Sequence, residues 1–169
     1  DYLRTSSTPV VWTLHDCWSF TGHCSHFHYV GCTRWKKYCS ECPQKREYPA
    51  SVVRDNSRSN FLRKKDLFTR IKNMTIVTPS QWLAGLVKES FLAKYDVRVI
   101  NNGIDLKVFK PSVSNFRQQY ELTGKFIILG VSNLWSQKKG FQYFLELSQS
   151  IQSDQAIVMV GLNKKQISK

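Results

Sequence analysis

Residues 17–50 constrain the fold more than any other stretch: they show no sustained apolar period, yet hold all five cysteines and three of the four histidines. A connection that long without helix or strand needs something to hold it together. Cys24, Cys32, Cys39 and Cys42 offer an anchor. The last pair sits in Cys39-Ser40-Glu41-Cys42-Pro43, where a short turn can aim both sulfurs at one tetrahedral metal ion. Structural zinc on these four thiolates is the expected cofactor, although the gap between Cys24 and Cys32 is wider than in a standard finger. Disulfides and free thiols are the alternatives; disulfides need an oxidising compartment, and no basic-then-apolar leader opens the chain. Four thiolates around one divalent cation carry a net charge of −2, which Arg34, Lys36 and Lys37 inside the loop would offset. They also leave no open position, so no catalytic metal is expected. Cys17 is then a leftover buried thiol, and His23, His26 and His28 rank below the cysteines as substitute ligands.

Charge is concentrated in the adjoining stretch. Residues 34–72 hold twelve Lys and Arg against four Asp and Glu, which is +8 of the chain's +13. Such a patch favours polyanions: nucleic acid, anionic lipid headgroups or phosphorylated substrates. The plain alternative is a solvated helix face made of Arg63, Lys64, Lys65, Arg70 and Lys72. A nucleic-acid module would interleave aromatic residues with these charges, and Trp35, Tyr38 and Tyr48 lie nearby. That rival gives the remainder of the chain no role.

The remainder alternates. Residues 9–14 read as a buried strand and 56–72 as a helix with Phe61, Leu62, Leu67, Phe68 and Ile71 on its apolar stripe. Met74–Thr78 is a strand, and Ser80 caps a helix through about Leu92 that buries Trp82, Leu83, Leu86, Val87 and Phe91. A strand at 96–100 runs into the turn Asn101-Asn102-Gly103. A short helix near 115–120, a buried strand at 126–131, a helix at 140–150 and a strand at 156–160 follow. This alternation predicts an α/β fold with parallel sheets. The longest apolar run, residues 156–162, falls far short of the ~20 residues that span a bilayer. Opening at Asp1 rather than Met, the chain reads as a piece of a longer protein.

Serine-hydrolase, zincin, P-loop and G-x-G-x-x-G signatures are absent. Two constellations carry chemistry. His15-Asp16 follows a strand's C-terminal end, where open α/β sheets place ligands; a hydrogen-bonded core histidine is the competing reading. The run from Gly130 to Gly140 leads a strand through Ser132 and Asn133 into Lys138-Lys139-Gly140 and a helix. Lysine ammonium groups and helix-start N–H groups could together cradle a diphosphate, and a basic helix cap would look similar.

The ordered set Thr13-Leu14-His15-Asp16-Cys17-Trp18, Val77-Thr78-Pro79-Ser80-Gln81-Trp82-Leu83, Val99-Ile100-Asn101-Asn102-Gly103-Ile104-Asp105 and Lys138-Lys139-Gly140 closely resembles glycosyltransferase family 4. More narrowly, it is similar to the bacterial branch that builds capsule, colanic acid or O-antigen polysaccharides. The resemblance implies a GT-B architecture of two Rossmann-like domains facing across a cleft. Residues 1–101 would form the C-terminal half of the acceptor-side domain, with 17–50 as a cysteine-rich zinc-binding insertion. Residues 102–112 would be the crossover, and 113–169 the start of the donor-binding domain. His15 and Asp16 match the catalytic position facing the donor sugar; Asn102, Gly103, Ser132, Asn133, Lys138 and Lys139 match donor-binding positions. One departure stands out: Ser132-Asn133-Leu134 replaces the family's Gly-Arg-Leu, so the second positive charge would come from Lys138. The implied reaction is retaining transfer of a hexose from a nucleotide-diphosphate sugar to a saccharide or polyprenyl-diphosphate-linked acceptor. An anionic membrane surface is a further expected partner for residues 34–72, and nucleic acid is not. The implied location is cytoplasmic, peripheral on the inner face of the membrane. This stretch alone is expected to be inactive.

Overall fold

The computed structural model describes residues 2–51 and 53–168. The chain divides into two compact units, Asp1–Ile104 and Asp105–Lys169, and the break falls within the 102–112 segment.

Unit 1 runs α1 (Tyr2–Thr5), β1 (Val10–Thr13), the cysteine-rich segment, α2 (Ser57–Thr69), β2 (Met74–Thr78), α3 (Gln81–Lys88) and β3 (Asp96–Val99). The strands are parallel in the order β1-β2-β3, with Thr13 beside Val77 and Thr78 beside Val99. Central β2 buries Met74, Ile76, Val77 and Thr78, as a continuous apolar run should. β1 is less buried than its sequence predicts, with Val11 70% exposed. Only one of its faces is covered, where Trp12 meets Phe68 of α2 edge-on at 4.7 Å.

The Ser80 side chain accepts a hydrogen bond from the Leu83 N–H and caps α3. Ser80→Ala is expected to cost about 1 kcal/mol, read as a lowered denaturation midpoint with unchanged slope. The helix ends at Lys88, short of the predicted Leu92, because the Ser90 hydroxyl takes over the backbone there. That hydroxyl donates to the Val87 carbonyl and accepts from the Leu92 N–H. Leu83 and Val87 are buried as expected, but Trp82 is half exposed, its ring 4.9 Å from that of His28.

Helix α2 ends at Thr69 rather than 72 and departs from its sequence reading on both faces: Leu62 and Leu67 of the expected apolar stripe are exposed, and one of the expected solvent cations is not. Arg63, Lys65 and Arg70 are exposed, but Lys64 turns inward and is buried. Asp55 holds the helix start, accepting from the Ser57 N–H through Oδ1 and from the Cys42 N–H through Oδ2. Burial opposes ionisation of Asp55, but these hydrogen bonds outweigh it and hold its carboxyl below the usual range.

The cysteine-rich segment contains three single turns of 3-10 helix: Trp18–Phe20, His28–Val30 and Arg34–Lys36. Its aromatic residues join the core of the sheet. Phe20, Phe27 and Trp35 are buried in one cluster with Leu14, Ile76 and Val87. Trp35 stacks on Phe27 at 4.8 Å and meets Phe20 at 5.4 Å.

Unit 2 runs α4 (Phe116–Gln119), β4 (Phe126–Val131), α5 (Phe141–Ser148), β5 (Gln155–Val160) and α6 (Lys164–Ile167). β4 and β5 pair in parallel from Phe126↔Gln155 to Val131↔Val160. β4 reads as buried in sequence, yet Phe126, Leu129 and Val131 are exposed and Gly130 alone in the strand is buried. Phe144 of α5 and Trp135 press on Gly130 so closely that a Cβ there would lie 2.7 Å and 2.9 Å from their rings. The opposite face of the strand lacks such cover.

Candidate functional site

Parallel strands bring their C-terminal ends to one edge, and unit 1 gathers its polar motif residues there. The ladder continues one residue past the strands: the Leu14 N–H donates to the Val77 carbonyl and the Ile100 N–H to the Thr78 carbonyl, both at 2.9 Å. β1 therefore delivers His15 on one side of the β2 end, and β3 delivers Asn101-Asn102-Gly103 on the other. The Asn101 side chain donates to the Pro79 carbonyl at 3.0 Å and ties the third strand end to the second. His15, Asn102 and Gly103 are exposed, so a solute can reach them. Asp16 is committed differently. Its Oδ1 accepts the Trp18 N–H at 2.8 Å and sets the first turn of the cysteine-rich segment.

In unit 2, Gly140 adopts a left-handed conformation (φ 77°) between the turn Gln137–Lys139 and α5. The turn closes on one acceptor, the Ser136 carbonyl, which takes the N–H groups of Lys139 and Phe141. The Gly140 N–H donates to Gln137. These N–H groups, which the sequence reading offered to a diphosphate, are thus used inside the turn. The exposed side chains of Lys138 and Lys139 remain as its cationic surface. Ser132 is half buried, accepts the Leu134 N–H on its hydroxyl and sends its own N–H to the Val160 carbonyl. Asn133 is exposed. Trp135 is buried and anchors the loop, its indole N–H donating to the Val160 carbonyl at 2.8 Å.

The four cysteines of the expected zinc set line one cavity, together with His23 and Gln44. All are free thiols. Among the described residues, no three His, Cys, Asp or Glu side chains are drawn together as a ready-made metal group. Burial pushes the Cys24 thiol up to about 12 and Cys39 to about 11, and raises Cys42 as well. Cys17 lies outside the cavity lining, fully buried, its thiol also pushed up to about 12 by burial and by the Asp16 carboxylate.

Lys64 approaches this region from α2. Its ammonium donates to the Trp18 carbonyl at 2.7 Å and the Thr21 carbonyl at 3.0 Å, and lies 3.4 Å from the Trp18 ring centroid. Burial lowers its pKa to about 8. Among the described residues no carboxylate lies within ion-pair distance of it. Sequence reasoning missed Lys64 because it sits in a run of exposed cations. It also missed the anchoring by Phe20, Phe27 and Trp35, although aromatic residues scattered through an aperiodic segment were a usable signal.

No protein-family model matches the chain, and no solved structure matches it. The chain is similar to a protein of Escherichia coli (strain K12) whose name, provisional for that protein itself, is colanic acid biosynthesis glycosyl transferase WcaC. The two are 36% identical over 102 residues. The match takes in 57% of this chain and 24% of the relative, so the chain spans about a quarter of that protein's length. The mixed α/β units with parallel sheets are consistent with a Rossmann-like glycosyltransferase.

Proposed function

We propose that this chain is part of a retaining glycosyltransferase of the GT-B type, acting in the synthesis of a bacterial surface polysaccharide. The similarity to the colanic acid protein carries the reading. The polar strand ends of both units support it, since α/β sheets bind ligands at that edge. In this reading His15 faces the transferred hexose, and Asp16 positions the turn that follows it. Asn102 and Gly103 share the strand-end edge of unit 1 with His15, and in unit 2 Ser132, Asn133, Lys138 and Lys139 contact the nucleotide-diphosphate sugar. With the N–H groups of Lys139, Gly140 and Phe141 already used inside the turn, the two lysine side chains carry the electrostatic stabilisation of the departing diphosphate.

The acceptor is a saccharide carried on a polyprenyl diphosphate, reached at the inner face of the cytoplasmic membrane. Among the described residues no helix is long and apolar enough to cross a membrane. Contact with anionic lipid would rest on exposed residues such as Arg63, Lys65 and Lys72, each contributing about 1 kcal/mol or less. Lys64 is withdrawn from that surface, and Lys36 and Arg70 are paired with Glu89 and Asp66. The nucleic-acid alternative loses one of its three aromatic residues, because Trp35 belongs to the core.

The test uses the full-length protein. UDP- and GDP-sugars are screened by thermal shift, and the stabilising donor is then titrated. Lys139→Ala is expected to weaken donor binding about tenfold while leaving the ligand-free melting temperature unchanged, the loss of one charge-assisted contact. If no nucleotide sugar raises the melting temperature and none supports transfer, the reading fails. The 169-residue stretch by itself is expected to transfer no sugar.

A further inference from the structure

We propose that Cys24, Cys32, Cys39 and Cys42 bind one structural zinc ion that fixes the cysteine-rich segment onto unit 1. This is independent of the transferase reading. The four thiols are spread over nineteen residues of one segment and still line a single cavity. Four soft sulfur donors suit tetrahedral zinc, and the closed shell they form is structural.

Two features around the cavity fit an anionic metal–thiolate centre better than four neutral thiols. The Gly22 N–H donates to Cys39 Sγ at 3.1 Å, the kind of support that orients and stabilises a ligating thiolate. Residue 22 must be glycine for this approach: a Cβ would collide with the Ser57 carbonyl and sit 2.7 Å from the Cys39 Cβ. Lys64 is a buried cation on the side of Cys39, Asp16 and Cys24, with no carboxylate within ion-pair distance among the described residues. A centre of charge −2 adds to the counter-charge that Asp16 supplies from beyond ion-pair distance.

The experiment takes full-length protein purified under reducing conditions without chelator. Elemental analysis is expected to return one zinc per chain, and cobalt replacement the intense absorption of a tetrahedral thiolate site. A mercurial should bind the four thiolates as mercaptides and set one zinc ion free for every four thiols it consumes. Cys39→Ser and Cys42→Ser each lose the metal, whereas Cys17→Ala and His23→Ala keep it. Thiol consumed per zinc set free is read on the unmutated protein, so it decides the matter even if the cysteine variants fail to fold. Less than stoichiometric metal with freely titrating thiols overturns the proposal. So does a mass deficit showing disulfides among the four, or loss of zinc in a folded Cys17→Ala or His23→Ala variant.

Discussion

Truncating Phe20 to alanine is expected to destabilise the protein by about 3–5 kcal/mol, the range for emptying an aromatic site in a packed core. Phe20 is fully buried at the end of the turn Trp18–Phe20, its ring against Trp35 and its cluster shared with Ile76 and Val87 of the sheet unit. The lost ring leaves a hole between the cysteine-rich segment and the sheet, and the rigid neighbours can close it only in part. Denaturant unfolding of the full-length protein checks this. A loss under about 1 kcal/mol would show that the segment is not held by its aromatic residues. Repeating the measurement after chelation separates the apolar anchoring from any metal contribution.

Gly161→Ala should be comparably severe, about 3 kcal/mol, and should act on unit 2. Gly161 has φ +88°, a conformation that disfavours every residue with a side chain, and a Cβ there would run into the Ser132 carbonyl. Both partners are main chain, so no side-chain rotation relieves the overlap. Either the end of the β4–β5 pair opens, breaking the bond from the Ser132 N–H to the Val160 carbonyl, or the 132–136 loop moves. The variant is therefore expected to lose stability and donor affinity together, unlike Lys139→Ala. Amide exchange at Ser132 reports the opening directly. Wild-type protection there in the variant would refute the account.

The element order was legible from the chain because apolar runs and their punctuation are local properties. Met74–Thr78 stands as a strand, and Ser80 caps the helix after it through its own side chain. The exposure of β1 and β4 was not legible: both strands look buried by composition, but coverage depends on which faces receive a helix. Lys64 was hidden for a related reason. It is three residues from Phe61 on the same helix, so it points to the core as Phe61 does, and its partners Trp18 and Thr21 are more than forty positions away. At the candidate site, the strand-end positions of His15 and Asn102 followed from the alternation. The internal use of the N–H groups around Ser136 did not, because a tight turn and an open anion cradle share one sequence pattern.

The cysteine-rich segment leaves β1 immediately after His15, and the strand it returns to is β2, the neighbour of β1. Material can therefore be added at its exposed turns without altering a single rung between the strands, so long as Phe20, Phe27 and Trp35 keep their places in the core. An excursion that starts beside an exposed imidazole can in this way change the rim, and the molecules that gain entry, while the scaffold beneath stays as it is.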